Sequence, residues 1–130
     1  MKQIVFALLF MLSAGKVFAG YEISICDSIG KGGACVGKND VFHFTGDKMK
    51  LMALVYNKDL LNTTKIIYKV YLMKNDNDGE LYADLTGNIQ NGWISTAKKM
   101  YFFKPGYYKL DVFKADHSKI GSVFFTLSDR

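Results

Sequence analysis

Residues that build catalytic and metal sites are scarce in this sequence. Its 130 residues include two histidines, two cysteines, one tryptophan and one proline. None of the signatures G-x-S-x-G, H-E-x-x-H or a Cys–His pairing of a nucleophilic enzyme can be read in it. We therefore expect a protein that is not an enzyme and that holds no cofactor and no metal ion.

A hydrophobic run long enough to span a membrane is also missing. The chain opens with Met1-Lys2-Gln3, continues with nine apolar residues at 4–12 and then reaches Val17-Phe18-Ala19. A basic start, a short apolar run and a small-x-small ending are the parts of a secretory signal peptide, whereas a spanning helix needs about 20 apolar residues. The sequence predicts a signal peptide over 1–19 and one domain over 20–130. We expect a periplasmic or secreted product with no stable membrane anchor after cleavage.

The net charge is modest once this leader is set aside. The whole chain carries +5, but Lys2 and Lys16 belong to the predicted leader, which leaves +3 on the remaining 111 residues. A small positive charge on an exported domain does not favour binding to a nucleic-acid duplex. We therefore expect no nucleic-acid partner.

The two cysteines, Cys26 and Cys35, both follow the predicted cleavage point. An even number of cysteines in an exported protein favours a disulfide. Redox pairs favour C-x-x-C and zinc sites favour two to four intervening residues, whereas eight residues separate these two. The spacing predicts a structural disulfide that closes the Gly-rich loop at 27–34.

After the leader, the apolar residues alternate rather than follow a helical period. Alternation in the segment 107–114 places Tyr108, Leu110 and Val112 inward, and Lys109 and Asp111 outward. The run Asn-Asp-Asn-Asp-Gly at 75–79 predicts a hairpin turn, and 58–62 is compatible with one helical turn. Turns recur every 8–12 residues, as in a sandwich or barrel. The predicted strands are 21–26, 41–44, 48–56, 64–73, 80–89, 98–104, 107–114 and 120–127.

The last two predicted strands read PGYYKLDV at 105–112 and GSVFFTL at 121–127. They resemble the last two strands of immunoglobulin-like sandwich modules from bacterial envelopes, and Gly106-x-Tyr108-x-Leu110 resembles the tyrosine corner of those modules. The resemblance implies an all-β, antiparallel immunoglobulin-like β-sandwich of about seven to eight strands. It also implies a buried Tyr108 ring whose hydroxyl returns to the backbone. It carries no catalytic residues.

Aromatic residues and lysines mix in the segment 98–109. Alternation cannot bury both members of the pairs Phe102-Phe103 and Tyr107-Tyr108, so some rings must lie outward. Outward aromatic residues are typical of binding surfaces, and lysines steer a protein toward an acidic partner. We expect a non-enzymatic module that binds a protein or a cell-envelope component. The candidate contact residues are Trp93, Tyr101, Tyr107, Lys98, Lys99 and Lys104.

Two other functions remain open at this stage. His43, His117 and a methionine could carry copper, since imidazole and thioether ligands suit that metal. Met49 and Met52 should however point to opposite sides of one strand. Alternatively, the loop at 30–37 could act as the contact loop of an inhibitor of a secreted hydrolase, because a disulfide would hold it in shape.

Overall fold

The computed structural model describes residues 20–129 of the chain. The predicted signal peptide at 1–19 lies outside the described residues. Strands make up most of the described part, with one short 3-10 turn at Lys31–Gly33. In chain order the strands are β1 (Tyr21–Cys26), β2 (Ser28–Ile29), β3 (Cys35–Val36), β4 (Val41–His43), β5 (Met49–Asn57), β6 (Lys65–Met73), β7 (Gly79–Asn88), β8 (Ser95–Phe102), β9 (Gly106–Lys114) and β10 (Lys119–Ser128).

Two sheets pack face to face into an all-β sandwich. The large sheet has the strand order β4-β10-β9-β6-β7, and the small sheet has the order β1-β5-β8. Neighbouring strands are antiparallel except β4, which runs parallel to β10. The short strands β2 and β3 pair separately and form a hairpin next to β1. The prediction of an antiparallel β-sandwich is confirmed.

The core lies between the sheets and is filled by every second residue of the longer strands. On β5 the inward residues Leu51, Ala53 and Val55 are fully buried, as their alternation predicts. They face the inward side of the large sheet, where Tyr108 and Leu110 are also fully buried. The burial of these apolar side chains is what chiefly stabilises a domain of this size.

Tyr108 closes the loop between β8 and β9. Its ring is fully buried, with ring centroids 4.9 Å from Phe102 and 5.7 Å from Phe125. Its hydroxyl donates a hydrogen bond to the carbonyl oxygen of Lys104 at 2.8 Å. Both the burial and the return of the hydroxyl to the backbone are confirmed.

The hairpin between β6 and β7 forms as the turn residues predict. Within the turn, the Lys74 amide donates to the Asp78 carbonyl at 2.7 Å and the Asn77 amide donates to the Asn75 side chain at 2.8 Å. The strand pairing slips by one residue between Val70 and Tyr71. This bulge turns Tyr82 inward, where it packs on Phe102 and Tyr108.

Three local predictions need correction. The segment at 58–62 is a turn and not helical, since Leu60 has a φ of 99°. Strand β8 begins at Ser95, three residues before the predicted start. Asp111 points away from the core as predicted, yet it is only 6% exposed, because Lys109, Lys119 and Ser122 surround its carboxylate on the outer side of the large sheet.

Candidate binding surface

The six predicted contact residues are spread over different parts of the sandwich. Lys99 and Tyr101 face outward from β8, on the small sheet, because the alternate residues Met100 and Phe102 point into the core. Tyr107 faces outward from the large sheet, opposite them. The structure therefore does not gather the six into one patch. Of the other three, Trp93 precedes β8, Lys98 lies between the sheets and Lys104 follows β8 in an exposed loop.

Lys98 is engaged within the protein. Its ammonium group donates a hydrogen bond to the Thr86 carbonyl of β7 at 2.9 Å. Nearby, the Phe103 amide donates to the Tyr82 hydroxyl at 2.9 Å. These two bonds link the edge strand of the small sheet to the edge strand of the large sheet. Lys98 thus closes one side of the sandwich, a role that its position beside Lys99 does not reveal.

The outer side of the small sheet carries a group of lysines around one exposed tyrosine. We call Lys48, Lys50, Lys99 and Tyr101 the basic aromatic face. Lys50 lies directly opposite Tyr101 in the β5–β8 pairing, and the Lys48 ammonium stands 5.1 Å from the centre of the Tyr101 ring. Tyr101 is 44% exposed. The face therefore presents an aromatic surface inside a positive field.

Ion pairs lie on the opposite side of the molecule. On the large sheet, Lys69 pairs with Asp84 at 3.0 Å, and Asp111 stands 3.5 Å from both Lys109 and Lys119. Within residues 20–129, the three lysines of the basic aromatic face form no ion pair. The outer side of the small sheet thus carries three neighbouring lysines without an ion-pair partner among the described residues.

Tyr107 already contacts two residues of the protein on the outer side of the large sheet. Its ring stacks on Phe124 at 5.6 Å, and its hydroxyl donates to the Asp76 carboxylate at 2.6 Å. The hydrogen bond to Asp76 raises the pKa of Tyr107. Sequence alternation correctly placed this ring outward, but its partners come from other elements, Phe124 from β10 and Asp76 from a turn 31 residues away.

Two shallow grooves flank Trp93 at the end of the sandwich where the β5–β6 and β7–β8 loops meet. The first, of about 580 Å³, has Leu54 and Ala97 of the small sheet as its floor and Ile29 of the β2–β3 hairpin on one side. The second, of about 350 Å³, lies between Leu60 and Ile89. Trp93 lines both grooves and is 40% exposed.

The disulfide between Cys26 and Cys35 is present, with an S–S distance of 2.04 Å and a Cα–Cα distance of 5.5 Å. It ties the β2–β3 hairpin to the end of β1. Residues 31–34 at the hairpin tip are exposed. The predicted disulfide is confirmed, and the hairpin is the wall that gives the first groove its depth.

The residues considered for copper are kept apart. His43 pairs with Ser128 at the end of β10, whereas His117 lies in the turn that precedes Lys119 at its start. Nine residues of extended strand separate these ends by about 30 Å. Met49 faces the core side of β5 and Met52 the outer side. In the part of the chain from 20 to 129, no three His, Cys, Asp or Glu side chains form a group that could hold a metal ion.

No protein-family model matches the chain, and no curated protein matches it. Among the described residues, none of the helical segments is long and apolar enough to cross a membrane.

Lys48 and Lys50 were missed by sequence reasoning. Alternation along β5 places Lys50 on the outer side, since Leu51 and Ala53 are inward, and this signal was present in the sequence. The neighbourhood of Tyr101 was not, because it depends on the register between β5 and β8, which pairs Tyr101 with Lys50, 51 residues earlier in the chain.

Proposed function

We propose that this protein is an exported, non-enzymatic binding module of the immunoglobulin-like type. Its partner is an acidic protein or an anionic component of the cell envelope. The observation that carries the proposal is the basic aromatic face, where uncompensated lysines surround an exposed tyrosine on the outer side of the small sheet.

The strand order supports the immunoglobulin-like assignment. Apart from the β2–β3 hairpin, the small sheet repeats the A-B-E order of such domains. The large sheet carries β10, β9, β6 and β7 in the order expected of strands G, F, C and C′. The hydrogen bond from Tyr108 to Lys104 is the contact expected of a tyrosine corner.

The chemistry of the face favours a partner that offers carboxylates or phosphates beside apolar groups. Lysines attract such a partner over about one Debye length, roughly 8–10 Å at physiological salt. Tyr101 then supplies rigid contact area at low cost in conformational entropy. Phe103, at 62% exposure, and Lys104 follow directly and extend the same chemistry beyond β8.

The proposal is tested by recovering partners from envelope extracts with the exported protein as bait. Tyr101→Ala and the double variant Lys50→Glu/Lys99→Glu should each weaken recovery of a specific partner about tenfold or more. The matched controls Tyr107→Ala and Lys65→Glu, on the large sheet, should recover it as wild type does. Recovery should also fall as salt rises. Equal recovery by Tyr101→Ala, the double variant and wild type would remove the face from consideration.

A further inference from the structure

We propose that Trp93 and the two loops around it form a binding site for a neutral oligosaccharide. The site lies at one end of the small sheet. Its first groove runs along the outer side of the small sheet as far as Ala97, two residues before Lys99 of the basic aromatic face, and no residue of that face lines either groove. The two sites thus adjoin but share no lining residue, and this proposal does not depend on the proposed recognition of an acidic partner.

The backbone under Trp93 is held in place from both sides. Its amide donates to the Gln90 carbonyl at 3.2 Å, and its carbonyl accepts from the Leu61 amide at 2.9 Å. Leu61 is itself fully buried, and its carbonyl accepts a hydrogen bond from the Tyr21 hydroxyl. An exposed indole on a fixed backbone is a rigid platform, so little ordering is needed when a ligand binds.

The turn that precedes Trp93 leaves the indole ring exposed. Gly92 has a φ of 90°, a conformation that favours glycine, and an added Cβ there would meet nothing within 4 Å. The Asn57 amide donates to the Ile94 carbonyl at 2.8 Å, and the Ile89 amide donates to the Thr64 carbonyl at 2.9 Å. These bonds join the two loops, so the grooves on either side of Trp93 share one frame.

Three amide side chains line the second groove beside Trp93, and all three are exposed. They belong to Asn62, Gln90 and Asn91. Within residues 20–129, none of the three side-chain amides makes a hydrogen bond to the protein. Each offers one acceptor and two donor hydrogens to a ligand. Sugar hydroxyls are the matching groups, since each both donates and accepts.

Neither groove has a charged side chain in its lining. Asn, Gln, Ser and Thr supply all of the polar side chains there, in contrast to the lysines of the basic aromatic face. An anionic or cationic ligand would find no counter-charge in these grooves. A neutral sugar fits instead, with the C–H face of its ring on the indole and its hydroxyls on the amides.

The chain carries its own reporter for this site, because Trp93 is its one tryptophan. The exported protein is titrated with hexasaccharides of α-1,4-glucose, β-1,4-glucose, xylose, mannose and N-acetylglucosamine, and with oligogalacturonate as an anionic comparison. We expect at least one neutral hexasaccharide to give a saturable change in Trp93 fluorescence below about 10 mM. The midpoint should stay constant between about 50 and 500 mM sodium chloride.

Substitutions inside and outside the grooves test whether the amide side chains beside Trp93 bind the sugar. Asn62→Ala and Asn91→Ala should each raise the midpoint about fivefold, the loss of one hydrogen bond. Asn88→Ala, an exposed amide outside both grooves, should leave it unchanged, as should Tyr101→Ala. Absence of a saturable response to all five neutral hexasaccharides would overturn the proposal. So would an unchanged midpoint in the Asn62→Ala/Asn91→Ala double variant, or a response to oligogalacturonate alone.

Discussion

Tyr107 and Tyr108 are neighbours in the chain but have opposite surroundings. Tyr108 lies in the core and donates to the Lys104 carbonyl, whereas Tyr107 lies on the outer side of the large sheet and donates to Asp76. The first bond is part-buried and the second is exposed. At this scale, a single step along a strand decides whether the same chemical group stabilises the fold.

Removing the two hydroxyls tests this difference. Tyr108→Phe should lower the free energy of unfolding by about 1–2 kcal/mol, because the Lys104 carbonyl loses its partner in a part-buried position. Tyr107→Phe is the matched control and should cost less than half as much, since water replaces its partner. Urea unfolding followed by circular dichroism measures both. An equal cost for the two variants would contradict the assigned role of Tyr108.

Two buried tyrosines also make the fold sensitive to alkali. Burial raises the pKa of Tyr68 and of Tyr108 well above the usual value of 10.0. Since the folded state holds these protons more tightly than the unfolded state, their contribution is complete below pH 10 and is lost as the pH rises above it. Tyrosinate absorbance should therefore show two rings that ionise only when the fold is lost. Their ionisation together with the exposed tyrosines, in folded protein, would contradict this.

At the scale of elements, Lys98 and Lys99 show how strand pairing decides what a lysine contacts. Lys99 faces solvent beside Tyr101, while Lys98 reaches across to the Thr86 carbonyl of β7. The two lysines are equivalent by composition. The pairing of β8 with β5, and the position of β7 next to β8, make Lys99 a surface charge and Lys98 a link between the sheets.

Alanine substitutions at Lys98 and at Lys99 test whether the two lysines have these different roles. Lys98→Ala should destabilise the protein by about 0.5–1 kcal/mol, because the link between β8 and β7 is lost although water can replace the donor at the exposed Thr86 carbonyl. Lys99→Ala should change stability by no more than about 0.5 kcal/mol, yet it should weaken partner recovery. Thermal unfolding of both variants, run beside the recovery assay, is the measurement. A stability loss that is larger for Lys99→Ala would reverse the assignment.

The β2–β3 hairpin depends on its disulfide. The bond closes a loop of about ten residues, for which the chain-entropy model gives roughly 2.5–3 kcal/mol of stabilisation. The double variant Cys26→Ser/Cys35→Ser should lose about that amount in urea unfolding. Wild type under reducing conditions should match the variant, whereas reduction should leave the variant itself unchanged. A variant as stable as oxidised wild type would show that the hairpin is held by other contacts.

Much of this architecture can be predicted from alternation and turn chemistry alone. The inward side of β9, the β6–β7 hairpin and the disulfide follow from local patterns in the chain. The bulge that turns Tyr82 inward and the cover over Asp111 do not. Both arise from the register between two consecutive strands, and the spacing of residues within one strand does not reveal that register.

For the molecule as a whole, the two sides of the sandwich differ in how their charges are used. On the large sheet, Lys69, Lys109 and Lys119 pair with Asp84 or Asp111, whereas the lysines of the basic aromatic face form no ion pair within residues 20–129. The aromatic residues divide in the same way. Tyr107 contacts Phe124 and Asp76. The Tyr101 ring is 44% exposed, with the Lys48 ammonium 5.1 Å from its centre.

Site-specific photo-crosslinking in cells that produce the full-length protein tests binding through the basic aromatic face most directly. Benzoylphenylalanine is placed at Tyr101 in one variant and at Tyr107 in the other, and adducts are separated after irradiation. We predict a discrete adduct from position 101 that disappears when Lys50→Glu and Lys99→Glu are added, and no such adduct from position 107. An adduct of equal yield from position 107, or none from position 101, would contradict binding through the basic aromatic face.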